Sequence, residues 1–325
     1  MKLARRSLLA AACAAGLAAP AVAQNFPNQQ VTLVIPFGAG GPTDIVGRMV
    51  AEAMGRDLGQ PVIVQNVGGG GGTIGVQRVV QARPDGHTIL YTNIGLATQP
   101  TLYRRLPYNP ITDLEPFGLV TSTPMVITVR PNFAGNTLAD FIAFARERRD
   151  AVNLANVGLG SASQLCGTLL QAALGINFTP IAFTGSGGVF PELMAGRLDV
   201  YCDQTTSSLP FVRENRIRGL AMTTATRLPQ APEIPTAAEA GLPGFEVGIW
   251  NGMYAPKGTP APVIERLNRA LRVAVQDPTV IARLNDLASP PEPLERVNPA
   301  VHRAFLEAEI DRWRPVLQAA GQFAD

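Results

Sequence analysis

The sequence predicts an α/β fold in two domains, and three observations support this prediction. Short β-branched runs such as Val31–Ile35 alternate with amphipathic stretches, among them the helically spaced Ile45, Met49 and Ala53, which is typical of a mostly parallel sheet covered by helices on both faces. The length of 325 residues favours two domains over one. Glycine- and hydroxyl-rich turns repeatedly follow the strands, which predicts a shared cleft along one sheet edge.

The chain divides into two series of strand–helix units. In the first series, strands are predicted at 31–35, 61–64 and 88–91, and helices at 44–58 and 74–82. In the second, strands are predicted at 124–129, 152–155, 178–183, 199–203 and 218–223, with helices at 138–148, 164–174 and 191–195. A further strand at 246–254 is followed by mainly helical sequence from 260, with a last helix near 299–320.

The N-terminus predicts export from the cytoplasm. Arg5 and Arg6 lie in a basic segment, an apolar run follows over 8–17, and small residues precede a cleavage site after Ala23. Residues 1–23 are therefore predicted to be a signal peptide, of either the general secretory or the twin-arginine type. They contain three of the 27 basic residues and none of the 25 acidic ones. The mature chain is thus nearly neutral, without the basic surface that nucleic-acid binding requires.

Motifs that would indicate catalysis are scarce. The two histidines, His87 and His302, neighbour neither a nucleophile motif nor a metal-ligand pattern. The segment 70–75 fits the G-x-G-x-x-G pattern of dinucleotide-binding folds, but Thr92 and Asn93 stand where such a site needs an acidic residue. The sequence therefore predicts no enzyme activity, no metal and no cofactor. A periplasmic hydrolase or oxidoreductase is the alternative.

The loops that follow the predicted strands carry the candidate binding groups. Six segments are rich in glycine and hydroxyl residues and contain no Lys or Arg: 37–43, 68–73, 92–98, 158–163, 184–188 and 205–208. Helix starts present unpaired N–H groups and the positive end of the helix dipole, which favour anions. We therefore expect a small anion to be held by backbone amides, hydroxyl groups and water.

Two cysteines remain in the predicted mature chain, Cys166 and Cys202. Both belong to the second series of units, near the same predicted sheet edge. In an oxidising compartment they either form a disulfide or remain two buried thiols, and the sequence leaves both alternatives open.

The chain resembles the Bug/TctC family, the extracytoplasmic substrate-binding proteins of tripartite tricarboxylate transporters. The resemblance covers residues 24–325 and rests on ordered motifs together with Arg48: VIPFGAGGPTD (34–44), LGQPV (58–62), GGTIG (71–75), ARPDGHT (82–88), LPYNP (106–110), GSAS (160–163), LMAGRLD (193–199), PTAAE (235–239) and WNGMYAPKGTP (250–260).

The resemblance implies a periplasmic binding protein of the Venus flytrap, type II-like fold. Domain 1 would comprise 24–123 and 247–325, domain 2 would comprise 124–246, and two crossing strands would join them. It implies a monomer that binds a small carboxylate for membrane subunits resembling TctA and TctB, or for a sensor. The ligand itself stays open, because the sequence departs from the family pattern at 164–165 and 183–184.

The implied ligand-binding residues come from both domains. They are Phe37, Gly38, Ala39, Gly40, Gly41, Thr43, Thr73, Thr92, Asn93, Gly160, Ser161, Ala162, Ser163, Thr184, Gly185, Ser186 and Asp203. Asp203 either accepts a hydrogen bond from a ligand ammonium or hydroxyl group, or caps the helix that follows it. Asp44, directly before the first long helix, is predicted to be a helix cap.

Overall fold

The computed structural model describes residues 26–321, 323 and 324, so the predicted signal peptide lies outside the described residues. The strands are β1 (Val31–Ile35), β2 (Val62–Asn66), β3 (Thr88–Asn93), β4 (Leu114–Val129), β5 (Asn153–Asn156), β6 (Thr179–Ala182), β7 (Val200–Gln204), β8 (Arg218–Met222) and β9 (Gly248–Pro256). The helices are α1 (Pro42–Leu58), α2 (Thr73–Val80), α3 (Gly95–Leu102), α4 (Leu138–Arg148), α5 (Ala162–Leu174), α6 (Ser186–Met194), α7 (Thr205–Arg213), α8 (Ala261–Ala274), α9 (Pro278–Asp286) and α10 (Pro299–Ala320). None of these helices is both long and apolar enough to cross a bilayer.

The strands pair in the order β2-β1-β3-β9-β4-β7-β5-β6, and β8 also pairs with β4. The short strands β1, β2 and β3 are parallel to one another, as are β5, β6 and β7. The long strands β4 and β9 run antiparallel to their neighbours. The predicted parallel arrangement is therefore found on both sides of a central antiparallel pair.

Strand β4 divides the sheet into two halves. It pairs with β9 over Leu114 to Pro124, and with β7 and β8 beyond Met125. We call β1, β2, β3, β9 and the beginning of β4 the first half-sheet, and the remaining strands with the end of β4 the second half-sheet. The sequence predicts a regular strand at 124–129, and the family resemblance implies a hinge strand near 117–129. The observed β4 begins still earlier, at Leu114.

Both faces of the first half-sheet are covered. Leu33, Ile35 and Ile89 are fully buried under α1 and α8, whereas Val34 and Leu90 point to the opposite face, towards α3 and α10. Because successive strand residues point to opposite faces, a strand covered on both sides must be apolar throughout. This explains why four of the five residues of β1 are apolar, with only the half-buried Thr32 polar.

Helix α6 begins five residues earlier than the sequence predicts. The glycines of 184–188 predict a loop before a helix at 191–195, but α6 starts at Ser186 and includes Gly187 and Gly188. A Cβ atom on Gly187 would lie 2.8 Å from the carbonyl oxygen of Ala39. Glycine has a low helix propensity. At position 187, however, only glycine leaves room for the Ala39 carbonyl of the opposite half of the protein.

Candidate functional site

The loops at the carboxyl ends of the parallel strands form two facing walls. The first wall follows β1, β2 and β3 and leads into α1, α2 and α3. The second wall follows β5, β6 and β7 and leads into α5, α6 and α7. Ligands of open α/β sheets bind at such edges. All the implied ligand-binding residues lie on one wall or the other.

The two walls contact each other directly. The Gly38 N–H donates a hydrogen bond to the Thr184 carbonyl oxygen at 3.2 Å. The hydroxyl of Thr98 donates to the carbonyl of Gly160 at 3.2 Å. The two walls therefore meet directly, without an intervening layer.

Glycine permits this close approach. A Cβ atom on Gly185 would lie 2.8 Å from the Cα of Gly38, and one on Gly71 would overlap the carbonyl oxygen of Leu159. Beside Gly71, the Tyr103 hydroxyl lies 2.8 Å from the carbonyl oxygens of both Gly70 and Leu159, so one hydroxyl contacts both halves. Tyr103 was not predicted from the sequence, because it lies at the end of a helix rather than in a glycine-rich loop.

The first wall presents mainly backbone donors. Helix α1 begins with Gly41 at its N-cap, no side chain caps its first N–H groups, and proline occupies its first turn. Uncapped amides and the helix dipole favour an anion at this position. Thr43 and Asn93 lie beside them and are joined by a 3.3 Å hydrogen bond between the Asn93 amide and the Thr43 hydroxyl.

Asp44 supports this wall from behind. It is the third residue of α1, not its N-cap, and its carboxylate accepts hydrogen bonds from the Gly40 N–H, the Arg48 guanidinium and the Asn66 amide at 2.9–3.0 Å. Burial opposes ionisation of Asp44, but these donors together hold its pKa below the usual value. The carboxylate therefore fixes the loop conformation, and Arg48 balances its charge.

Two of the implied first-wall residues, Thr73 and Asn93, make local contacts, and a third, Thr92, is buried. The Thr73 hydroxyl donates to the Gly70 carbonyl at 2.9 Å within its own turn. The Asn93 side-chain oxygen accepts from the Gly95 N–H at 3.0 Å, at the start of α3. Thr92 is buried in β3. These contacts stabilise the turns that shape the wall.

The second wall presents side-chain hydroxyls. Ser161 is the N-cap of α5, and its oxygen accepts from the Gln164 N–H at 3.2 Å. Ser163 accepts from the Val157 N–H at 3.1 Å. Ser186 begins α6 and lies directly opposite the first wall. A Cβ atom added to Gly41 would be 3.7 Å from the Cβ atom of Ser186.

Asp203 lies at the base of the second wall. It is the fourth residue of β7, whereas Gln204 is the N-cap of α7. Its carboxylate accepts a 2.6 Å hydrogen bond from the Ser207 hydroxyl, four residues later. Burial raises the pKa of Asp203 to about 6, although hydrogen bonds from neighbouring hydroxyls and from the Gln204 N–H oppose this shift.

Tyr201, two residues before Asp203, was not identified in the sequence as a site residue. Its phenol oxygen lies 2.7 Å from the Ser186 hydroxyl, and Ser163 and Asp203 also interact with it. Tyr201 is fully buried in a strand that is typical of hydrophobic core, so the sequence carries no signal of this contact.

Cys166 and Cys202 form a disulfide with a Cα–Cα distance of 6.0 Å. It joins the first turns of α5 to β7, next to Tyr201 and Asp203. Of the two alternatives left by the sequence, the structure contains the disulfide.

The histidines lie away from both walls. His87 precedes β3 at the opposite sheet edge and contacts Phe26 edge-on. His302, a buried residue of α10, contacts Tyr254 of β9, with its Nε2 2.8 Å from the Tyr254 hydroxyl. Among the described residues, no group of three or more His, Cys, Asp and Glu is arranged to hold a metal ion.

Comparison with solved structures finds close relatives. The periplasmic binding protein BugD is 39% identical with a TM-score of 0.90, and the match covers 92% of this chain and 100% of BugD. MatC from Rhodopseudomonas palustris, with bound malate, is 37% identical with a TM-score of 0.86, covering 90% of this chain and 99% of MatC. A second R. palustris protein, with adipate, is 32% identical with a TM-score of 0.85, covering 91% and 98%.

These matches confirm the two-domain periplasmic binding protein fold that the sequence predicts. A family model described as the tripartite tricarboxylate transporter family receptor matches residues 46–322, which is most of the chain. The protein belongs to the family of tripartite tricarboxylate transporter receptors, the TctC family.

Proposed function

We propose that this chain is an exported solute receptor that captures a small carboxylate between the two walls and delivers it to a tripartite tricarboxylate transporter. The observation that carries this proposal is the convergence of uncapped backbone donors and hydroxyls from six strand ends on one cleft. Malate and adipate in the relatives support the chemical class. The partners would be TctA- and TctB-like membrane subunits.

The remaining parts of the proposal follow from the sequence. Residues 1–23 would be removed near Ala23 in the periplasm. The domains would comprise 24–123 with 247–325, and 124–246, and the change of pairing partner in β4 near Pro124 supports this division. The mature protein would be a monomer that performs no catalysis, because the walls offer hydroxyls without a neighbouring histidine base.

The carboxylate requirement is tested with matched ligands on the purified mature protein. Succinate, glutarate and adipate are titrated calorimetrically beside their diamides, which keep the shape and remove the charge. We expect at least one carboxylate to bind and its diamide to bind at least tenfold more weakly. Equal affinity of the two, or turnover of a chromogenic ester in place of carboxylate binding, would contradict the proposed function.

Closure is tested by small-angle scattering. Two units joined by two strands can hinge about few residues, so a saturating ligand should reduce the radius of gyration. An unchanged radius would exclude a hinged trap but would leave ligand binding intact.

A further inference from the structure

Three elements of the second wall meet at one buried phenol. Ser186, the first residue of α6, is 2.7 Å from the Tyr201 hydroxyl. Ser163, in the first turn of α5, and Asp203, near the end of β7, interact with the same hydroxyl. All four side chains are almost completely buried. The orientation of each hydroxyl therefore depends on the others, with little competition from bulk water.

The number of protons available fixes the direction of these hydrogen bonds. An ionised carboxylate only accepts, and a phenol has a single proton to donate. Burial, followed by the nearby Asp203 charge, keeps the pKa of Tyr201 well above its usual value, so the phenol keeps its proton. The Tyr201 proton then points to Asp203, and Ser163 and Ser186 donate to the phenol oxygen.

This direction gives the two walls opposite hydrogen-bonding character. Ser186 has both the Tyr201 phenol and the Asp203 carboxylate as buried acceptors, so its proton stays within this cluster and it presents only oxygen lone pairs to the cleft. Opposite it, the uncapped N–H groups at the start of α1 are donors. A ligand between them needs an acceptor at one end and a donor at the other. Ser186 lies close to Gly41. The acceptor group and the donor group of the ligand must therefore be separated by only a few atoms.

We propose that the receptor selects carboxylates that carry a hydrogen-bond donor, a hydroxyl or an ammonium group, near the carboxylate, and that Tyr201 is the positioning residue that sets this preference. This inference rests on the proposed function and narrows it. Dicarboxylates without a hydroxyl or ammonium group would bind more weakly. Their second carboxylate would lie against hydrogen-bond acceptors and would be repelled by the negative charge of Asp203.

Matched ligand pairs test the preference. Propionate and lactate, succinate and malate, and glutarate and 2-hydroxyglutarate differ only by one hydroxyl group, and alanine, aspartate and glutamate replace it with an ammonium group. We expect the donor-bearing member of the best-binding set to bind at least tenfold more tightly. Equal or tighter binding of the donor-free member overturns this inference and leaves the proposed function standing. Binding of none of these acids overturns both.

The variant Tyr201→Phe tests the positioning role. Without the phenol oxygen, Ser163 can turn its proton towards the cleft and Ser186 keeps only the Asp203 carboxylate as a buried acceptor. The affinity ratio of hydroxy acid to plain acid should therefore fall at least threefold. Tyr254→Phe is the matched control, because it removes another buried tyrosine hydroxyl, one bonded to His302 outside the walls, and its ratio should be unchanged.

Circular dichroism establishes that each variant is folded before titration. If Tyr201→Phe does not fold, Ser186→Ala removes the acceptor itself and should lower the same ratio. A folded Tyr201→Phe or Ser186→Ala variant with the wild-type ratio overturns the assignment, since a purely structural role would weaken all ligands equally.

Discussion

The two walls of the cleft are built in different ways. The first wall presents backbone N–H groups, and its side chains, such as Asp44 and Asn66, hold the loop from behind. The second wall presents side chains, whose orientations depend on Tyr201 and on the buried charge of Asp203. Backbone donors at a helix start suit any carboxylate, whereas a fixed set of hydroxyls discriminates among the groups attached to it.

This difference separates two tasks of a receptor. The first wall would recognise what all its ligands share, and the second would recognise what distinguishes one ligand from another. Changes in the second wall should therefore alter ligand preference, and changes in the first wall should weaken all ligands together.

The disulfide stabilises the second wall only. Cys166 and Cys202 are 36 residues apart in sequence, and closing a loop of this length contributes about 3–4 kcal/mol to the free energy of unfolding. The double variant Cys166→Ala/Cys202→Ala should lose this amount in urea unfolding. A reducing agent should destabilise the wild type to a similar extent and leave the variant unchanged. Equal free energies of unfolding for the double variant and the wild type without reducing agent would show that the disulfide contributes nothing to stability.

The variant Gly71→Ala should prevent full closure, because its Cβ would overlap the carbonyl of Leu159 on the opposite wall. Displacing packed groups costs about 1–3 kcal/mol, or roughly 5- to 150-fold in apparent affinity, for all ligands equally. Small-angle scattering should show a larger radius of gyration at saturating ligand.

Gly175→Ala is the matched control for this variant. Gly71 has a φ of 59° and Gly175 a φ of 65°, so alanine is strained to a similar degree at both positions. No heavy atom lies within 4 Å of a Cβ on Gly175. The Gly175→Ala variant should therefore unfold more easily than the wild type, but its radius of gyration at saturating ligand should be that of the wild type. Normal closure in Gly71→Ala would mean that the walls adjust to the added methyl group.

The same contrast explains what the sequence could predict. The first loop was identified because glycine, proline and a helix start are adjacent in sequence, and their conformations are set locally. Tyr201 was missed because its partners are Ser163 and Ser186, from two other loops. They meet only because β7 is placed between β4 and β5 in the sheet, which a local pattern does not encode.

The start of α6 shows a second limit of local patterns. Glycines at 187 and 188 predict a loop from their propensity, but packing against Ala39 of the first wall requires a small residue there. Tertiary contact outweighs a propensity of about 1 kcal/mol per glycine. Sequence patterns therefore predicted most strands and helices, and failed where the two halves meet.

A pH titration distinguishes the two halves of the protein. In the first half, burial, together with nearby Arg296 and Arg303, lowers the pKa of His302 to about 3. Below pH 6.5 the unfolded chain takes up a proton that the folded protein excludes, so stability falls as the pH falls. Between pH 7 and 5 this loss should be about 2 kcal/mol.

The variant His302→Gln removes the titrating group and should lose this dependence, as measured by urea unfolding at pH 5 and 7. A stability difference between wild type and variant that does not change with pH would mean that His302 is accessible to protons in the folded state.

Asp203, in the second half, should have the opposite dependence. Its folded pKa of about 6 exceeds that of an unfolded aspartate, near 4. Between these values the folded protein holds a proton that the unfolded chain has released, so stability falls as the pH rises and levels off above pH 6. From pH 5 to 7 the loss should be about 1.4 kcal/mol. Asp203→Asn keeps the shape and removes the titration, so the wild type should lose stability relative to this variant over that interval. A difference that stays constant from pH 5 to 7 would mean that Asp203 is already ionised at pH 5, and the second wall would then keep its acceptor character under acidic conditions as well.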